Sequence, residues 1–239
     1  MTKFSIFLLL FTLYENGSVE KLKKGYFLID LGFYYGEREV DEKYMEEKIS
    51  GRMYSTRAVL KVAGKPLKFL EVFGILGVGN ISFGLYDMTY DYLTDFNGSY
   101  ELIYGGGLTL NFFLPNPPSF IGAFFEGNYQ RFLSRDRVAL MDTGWVKEVI
   151  DWQELELKFG LERPFDFWHI KGGIKGSELL GIDKIKSNSE AKYEMRASNK
   201  IGIFFSFDIY LEKSQKTAFY INLSAIDSNY FKLGVKRWL

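Results

Sequence analysis

Apolar residues fall on every second position through most of this chain, and the phase holds within each stretch. From 26 to 36, Phe27, Ile29, Leu31, Phe33 and Tyr35 share one face, and Asp30, Gly32, Tyr34 and Gly36 the other. Thr56, Ala58, Leu60 and Val62 oppose Ser55, Arg57 and Lys61. Leu102, Tyr104, Leu108, Leu110 and Phe112 oppose Glu101, Gly105, Gly107, Thr109 and Asn111. Ile121, Ala123, Phe125 and Tyr129 oppose Glu126, Asn128 and Gln130, and Leu155, Leu157, Phe159 and Leu161 oppose Glu154, Glu156, Lys158 and Glu162. Trp168, Ile170 and Ile174 oppose His169, Lys171 and Lys175; Ile201, Ile203, Phe205, Phe207 and Ile209 oppose Lys200, Ser206 and Asp208. Near the end, Phe219, Ile221, Leu223 and Ala225 oppose Tyr220, Asn222 and Ser224, and Phe231, Leu233 and Val235 oppose Lys232, Gly234 and Lys236. Only 69–80 is mixed, with Phe73 and Ile75 on the same face as Glu71. A period of two belongs to strands, and the count predicts about ten of them.

The connections sort by length. Long polar ones (38–52, 81–98, 134–150, 176–198) alternate with short ones (63–66, 114–118, 163–165, 212–216), and 226–229 is short again. All five prolines (Pro66, Pro115, Pro117, Pro118, Pro164) fall in the short set, as expected for residues that cannot donate to a sheet ladder. Short turns at one end, long loops at the other and alternating strands between predict an antiparallel up-and-down barrel that spans a membrane. Ten strands fit best, with eight or twelve as the neighbouring counts.

The polar face helps to separate this from a soluble barrel. Gly105, Gly107, Gly122, Gly160, Gly173 and Gly234 sit there with Glu126, Glu154 and Glu156. Glycine weakens a solvent-facing strand but makes room inside a narrow barrel for long charged neighbours. The apolar face, rich in Leu, Ile and Phe, then faces lipid. Tyr26, Tyr35, Trp152, Trp168 and Trp238, near strand ends, are expected at the membrane interfaces.

Composition narrows the function classes. Lys+Arg and Asp+Glu are both 30, so no basic field draws nucleic acid, and no nucleic-acid motif is present. There is no cysteine, hence no disulfide or thiolate metal site. Phe4 to Tyr14, after Lys3, is too short an apolar run to span a bilayer and reads as a secretory leader over 1–19, with 20–239 as one barrel domain.

The stretches Tyr104-Gly105-Gly106-Gly107-Leu108-Thr109-Leu110-Asn111-Phe112 and Phe124-Phe125-Glu126-Gly127-Asn128-Tyr129, with a final strand ending at Trp238-Leu239, resemble the small outer-membrane β-barrel proteins of bacteria, the porin-like and OmpA-like group. The resemblance spans roughly 25–239. It implies a place in the bacterial outer membrane, contact with the lipid bilayer and lipopolysaccharide, and handling by the barrel-insertion machinery. It fixes no oligomeric state.

The inward set is the main candidate for function: Arg57, Lys61, Glu71, Glu101, Glu126, Glu154, Glu156, Lys158, Glu162, His169, Lys171, Lys175, Lys200, Asp208, Lys232 and Lys236. Charges shut away from water need partners, so ion pairs are expected to fill most of the lumen. Glu126, Glu154 and Glu156 would bias any remaining path toward cations. Some barrels resembling this one are enzymes, among them lipid A deacylases and omptin-type proteases. His169, the only histidine, points inward beside a short turn and has no nearby serine, so no catalytic residue is assigned. Asp87, Asp91 and Asp95 lack the glycine-bearing spacing of a calcium loop, so neither metal nor cofactor is expected. The expectation is a non-enzymatic barrel, structural or weakly channel-forming. The alternatives are a narrow porin for small solutes and a barrel enzyme using His169.

Overall fold

The computed structural model describes residues 27–44, 47–67, 69–85, 96–113, 121–140, 144–186 and 190–239. The leader at 1–19, Tyr26, the prolines at 115–118 and Asp87, Asp91 and Asp95 lie outside the described residues. Twelve strands follow in order: β1 (Phe27–Tyr44), β2 (Glu47–Leu67), β3 (Leu70–Leu85), β4 (Phe96–Asn97), β5 (Glu101–Phe113), β6 (Gly122–Leu140), β7 (Gly144–Pro164), β8 (Trp168–Lys186), β9 (Glu190–Ala197), β10 (Ile201–Tyr210), β11 (Thr217–Ala225) and β12 (Asn229–Trp238). Every pairing is antiparallel between neighbours, and ten strands close a ring through β8–β10 and β1–β12.

Three of the expected long loops are strand instead. β1 runs 18 residues, β2 and β7 run 21 each, and β6 and β8 run 19. A membrane-crossing strand needs only about ten residues, so these strands project well past the bilayer. The physical reason is an inversion of polarity within one unbroken alternation. On β1 the outward positions change from Leu31, Phe33 and Tyr35 to Glu37, Glu39 and Lys43, while the inward ones change from Asp30 to Val40. Lipid therefore faces the lower half and water the upper half, with the ladder continuing through the change.

The two halves close differently. In the lower ring β8 pairs with β10 and β1 with β12; in the upper ring the single strand β9 bridges β8 and β1. β4 and the residues after it join β3 to β6 on the far side, through Gly98 N to Ile81 O and Ser99 N to Arg135 O, both 2.8 Å. With fewer strands the upper ring is narrower, and the layer of its interior next to the lumen is apolar: Val40, Ile81, Phe96, Phe132, Ile150, Trp152, Leu179 and Met195 are all buried there.

The lower exterior is a continuous greasy belt. Leu155 is 46% exposed and Leu157 44%, whereas Glu156 between them is 9% exposed. No helix among the described residues is long and apolar enough to cross a membrane; the crossing is made by strands. Two tryptophans depart from the interfacial expectation. Trp152 shares the phase of Glu154 and Trp238 that of Lys236, so both point inward, 0% and 6% exposed. Tyr35 stays on the exterior, and Trp168 stacks on Phe165 with centroids 3.6 Å apart.

Candidate functional site

The lumen is built from the inward phase of the ten ring strands, and among the described residues its charges cancel. Eight cations (Arg38, Arg57, Lys61, Lys158, Lys171, Lys175, Lys232, Lys236) meet eight carboxylates (Asp30, Glu71, Glu126, Glu154, Glu156, Glu162, Asp208, Asp227). Each member of one set lies within ion-pair distance of a member of the other.

Near the short-turn end, His169 sits between two carboxylates, with Nε2 3.1 Å from Glu162 and Nδ1 3.3 Å from Asp208. Lys171 pairs with Glu162 at 2.8 Å and Lys236 with Asp208 at 2.5 Å. Below this layer Leu28, Ala63, Tyr210, Ala218 and Trp238 form an apolar floor, Tyr210 and Trp238 having centroids 6.2 Å apart.

At mid-height Lys158 bridges Glu156 at 2.6 Å and Glu126 at 3.3 Å, and Lys61 meets Glu71 at 3.2 Å. Asn128 donates to Glu156 at 2.9 Å. Lys232 approaches Asp30 at 3.4 Å, and the Tyr220 hydroxyl donates to the same carboxylate at 2.5 Å. Gly32 and Gly234, register partners on β1 and β12, make this group possible. A Cβ on Gly32 would overlap Lys232 and the Tyr220 hydroxyl, and one on Gly234 would meet the same hydroxyl. Ammonium groups also lie over aromatic faces, Lys61 on Phe73 at 3.8 Å and Lys232 on Tyr34 at 4.6 Å.

At the top of the lumen Glu154 accepts from Arg57 at 2.9 Å and Arg38 at 3.2 Å. Arg38 reaches Asp227 at 3.2 Å, and Lys175 reaches it at 3.0 Å. The apolar ceiling of the upper ring lies above. Gly181 admits Trp152 to it, because a Cβ there would press on the indole ring at 2.9 Å.

Between floor and ceiling remains a cavity of about 200 Å³, lined by the ion-pair network. Asn128 Oδ1 and Asn222 Oδ1, on two of its lining residues, are buried without a protein partner. A polar void of this size has room for about six waters.

Of the residues singled out by the alternation, Arg57, Lys61, Glu71, Glu126, Glu154, Glu156, Lys158, Lys171, Lys175, Lys232 and Lys236 line this cavity. Glu162, His169 and Asp208 are buried in the layer beneath. Two fall elsewhere. Glu101 sits where β5 begins, and its carboxylate pairs at 2.7 Å with the outward-facing Arg135. Lys200 precedes β10 and pairs outside the barrel with Glu178 at 2.6 Å. Both lie at strand ends, where the alternation no longer fixes direction. Glu126, Glu154 and Glu156, from which a cation bias is expected, are each paired, with Lys158, Lys175, Arg38 and Arg57 as their partners. Arg38 and Asp227 were missed: Arg38 lies in a stretch that read as loop, and Asp227 in a turn. Continuing the β1 phase past Gly36 would have found Arg38.

A second carboxyl group lies higher, inside the upper ring and outside the membrane. Burial raises Glu42 to about 7, with Asp183 adding repulsion. Burial likewise raises Glu148 to about 7 and Asp183 to about 8, and those two share a hydrogen bond.

A closed antiparallel ring with a lipid-facing belt and a charged interior is the architecture of a membrane-spanning β-barrel of the outer-membrane type. No protein-family profile and no curated protein matches the chain. Solved structures similar to it include the outer membrane protease OmpT from Escherichia coli, at 11% identity and TM-score 0.48, covering 91% of this chain and 98% of that one. The translocator domain of the autotransporter NalP from Neisseria meningitidis has 8% identity and TM-score 0.48, covering 97% and 94%. The outer membrane protein OprG from Pseudomonas aeruginosa has 11% identity and TM-score 0.45, covering 91% and 97%.

Proposed function

We propose that this is a non-enzymatic outer-membrane barrel whose lumen is closed at rest, serving as a rigid scaffold that carries the upper ring above the membrane. The observation that carries the reading is the sequence of layers along the axis: apolar floor, neutral ion-pair network, apolar ceiling. An ion entering such a lumen would have to break paired charges and then cross a layer of packed Trp, Phe and Met. His169 supports the non-enzymatic part, since it is 5% exposed and both ring nitrogens face carboxylates in that closed interior. The test is reconstitution of the purified chain into planar bilayers. Silence across a range of salt and voltage is the expected result, and steady, salt-dependent conductance steps would overturn the reading.

The 200 Å³ cavity favours one second reading, a narrow pore for small solutes. Proteoliposome swelling in a series of small neutral and zwitterionic solutes decides it: size-limited uptake supports the pore, and uptake equal to that of empty liposomes removes it.

A further inference from the structure

At the upper rim of the belt the barrel wall steps from three strands to one. Below the step β8 pairs with β10 up to Gly176 and Ile201, and β1 with β12 up to Glu37 and Asn229. Above it β8 pairs with β9 from Leu180 and Arg196, and β1 with β9 from Val40 and Ala197. Neighbouring strands stand about 4.8 Å apart, so exchanging three for one removes roughly 10 Å of wall, which must be contracted or filled.

The turn between β11 and β12 fills it. Asp227 points from this turn into the lumen with its side chain 0% exposed. It accepts from Ser177 at 2.8 Å and pairs with Lys175 at 3.0 Å and Arg38 at 3.2 Å, while Ser224 lies 3.4 Å from its other oxygen. Ser228, next in the turn, accepts from Lys175 at 2.9 Å. The turn docks on the backbone of β10, where a Cβ on Gly202 would overlap the Asp227 carboxylate. Arg38, Lys175 and Ser228 are at the same time lining residues of the cavity, so this turn is part of its wall.

The turn is also strained. Ile226 has φ 83°, a region that β-branched residues avoid, and the residue is 64% exposed. Its own packing therefore does little to hold the conformation; the anchoring of Asp227 does.

We infer that the β11–β12 turn is a gate and Asp227 its stopper: withdrawing the carboxylate releases the turn and opens the cavity through the wall at the rim to small hydrated ions. The gate rests on the reading that the lumen is closed at rest. Without Asp227 the lumen holds one more cation than carboxylate, so the opened path prefers anions.

Labelling of a cysteine placed at Asn222 (Asn222→Cys), on the cavity wall, by small charged thiol reagents tests it in lipid nanodiscs, in the wild-type, Asp227→Ala and Ser177→Ala backgrounds, each first shown to be folded by a different migration when unheated and heated. The expected result is little labelling in the wild-type background, fast labelling with Asp227→Ala that favours an anionic over a cationic reagent, and intermediate labelling with Ser177→Ala, which removes one donor and is the milder variant if the first fails to fold. Adding Ile226→Gly to Ser177→Ala should reduce that labelling several-fold, because glycine accepts this φ without strain. Labelling of the folded variants no faster than in a slowly labelled wild-type background overturns the gate and leaves the closed lumen standing. Fast labelling in the wild-type background overturns both.

Discussion

Arg38 and Asp227, 189 positions apart in sequence, meet inside the barrel at 3.2 Å, and the same guanidinium reaches Glu154 at 3.2 Å. One side chain on β1 thus ties β7 to the turn between β11 and β12. It sits where the lumen's charges end and the apolar ceiling begins, and the behaviour of the barrel follows from how those two layers are held.

The ion pairs should matter as pairs and little as net stabilisers. Removing one partner strands a buried charge, at a cost of about 3–5 kcal/mol, while replacing both with apolar groups is often close to neutral. Lys61 and Glu71, 3.2 Å apart, are suited to the test. Glu71→Leu is expected to lower stability by that order, and the Lys61→Leu, Glu71→Leu double variant to recover most of it. Urea unfolding in lipid vesicles measures both.

The belt predicts a depth-dependent penalty. Leu157 and Phe159 face lipid in the lower half of β7, within the belt. Lysine at either site should cost about 2–4 kcal/mol and reduce the fraction that inserts. Glu39→Lys, outward but above the rim, should change stability by no more than about 0.5 kcal/mol. Comparing unheated and heated migration after refolding into vesicles gives the inserted fraction for all three.

Trp152 is the largest fully buried side chain and fills the space that Gly181 leaves. Trp152→Ala should cost about 3–5 kcal/mol through the cavity it opens. Trp152→Phe should cost less, because the indole N–H has no partner to lose. Gly181→Val overpacks the same site, at about 1–3 kcal/mol. Denaturant midpoints rank the three.

The upper ring should loosen as pH rises. Glu42 titrates near 7, Glu148 near 7 and Asp183 near 8, against ordinary carboxylate values of 4.5 and 3.8. The folded ring therefore keeps protons that the unfolded chain has released. Their stabilisation is fully present below about pH 4, and is lost as pH rises through 7 to 8. Glu42 alone contributes on the order of 3 kcal/mol to that difference. Amide protection in the upper parts of β1, β7, β8 and β9, taken relative to the intrinsic exchange rate at each pH, should be greater near pH 5 than near pH 8.5. Glu42→Gln should shrink the contrast, and equal protection at both pH values would contradict this account.

Much of the barrel was legible because lipid and lumen impose opposite demands on alternate residues. Leu157 and Phe159 could face only one way once Glu156 and Lys158 faced the other, and nine of the ten ring strands carried that signal cleanly. The exception, β3, puts Phe73 and Ile75 inward beside Glu71, where Lys61 lies over the Phe73 ring. The upper strands were misread as loops because their outward faces turn polar, although the alternation continues through Glu37, Glu39 and Lys43.

What the sequence by itself determined is the period, the phase and hence which side chains lipid touches, because a strand's geometry leaves two faces and each residue must take one. Only the tertiary structure decided which charges pair, that β9 replaces three strands above the rim, and that Asp227 closes the step. Those depend on register and ring closure between residues far apart in the chain, where direction comes from the partner across the barrel and alternation carries no information about it.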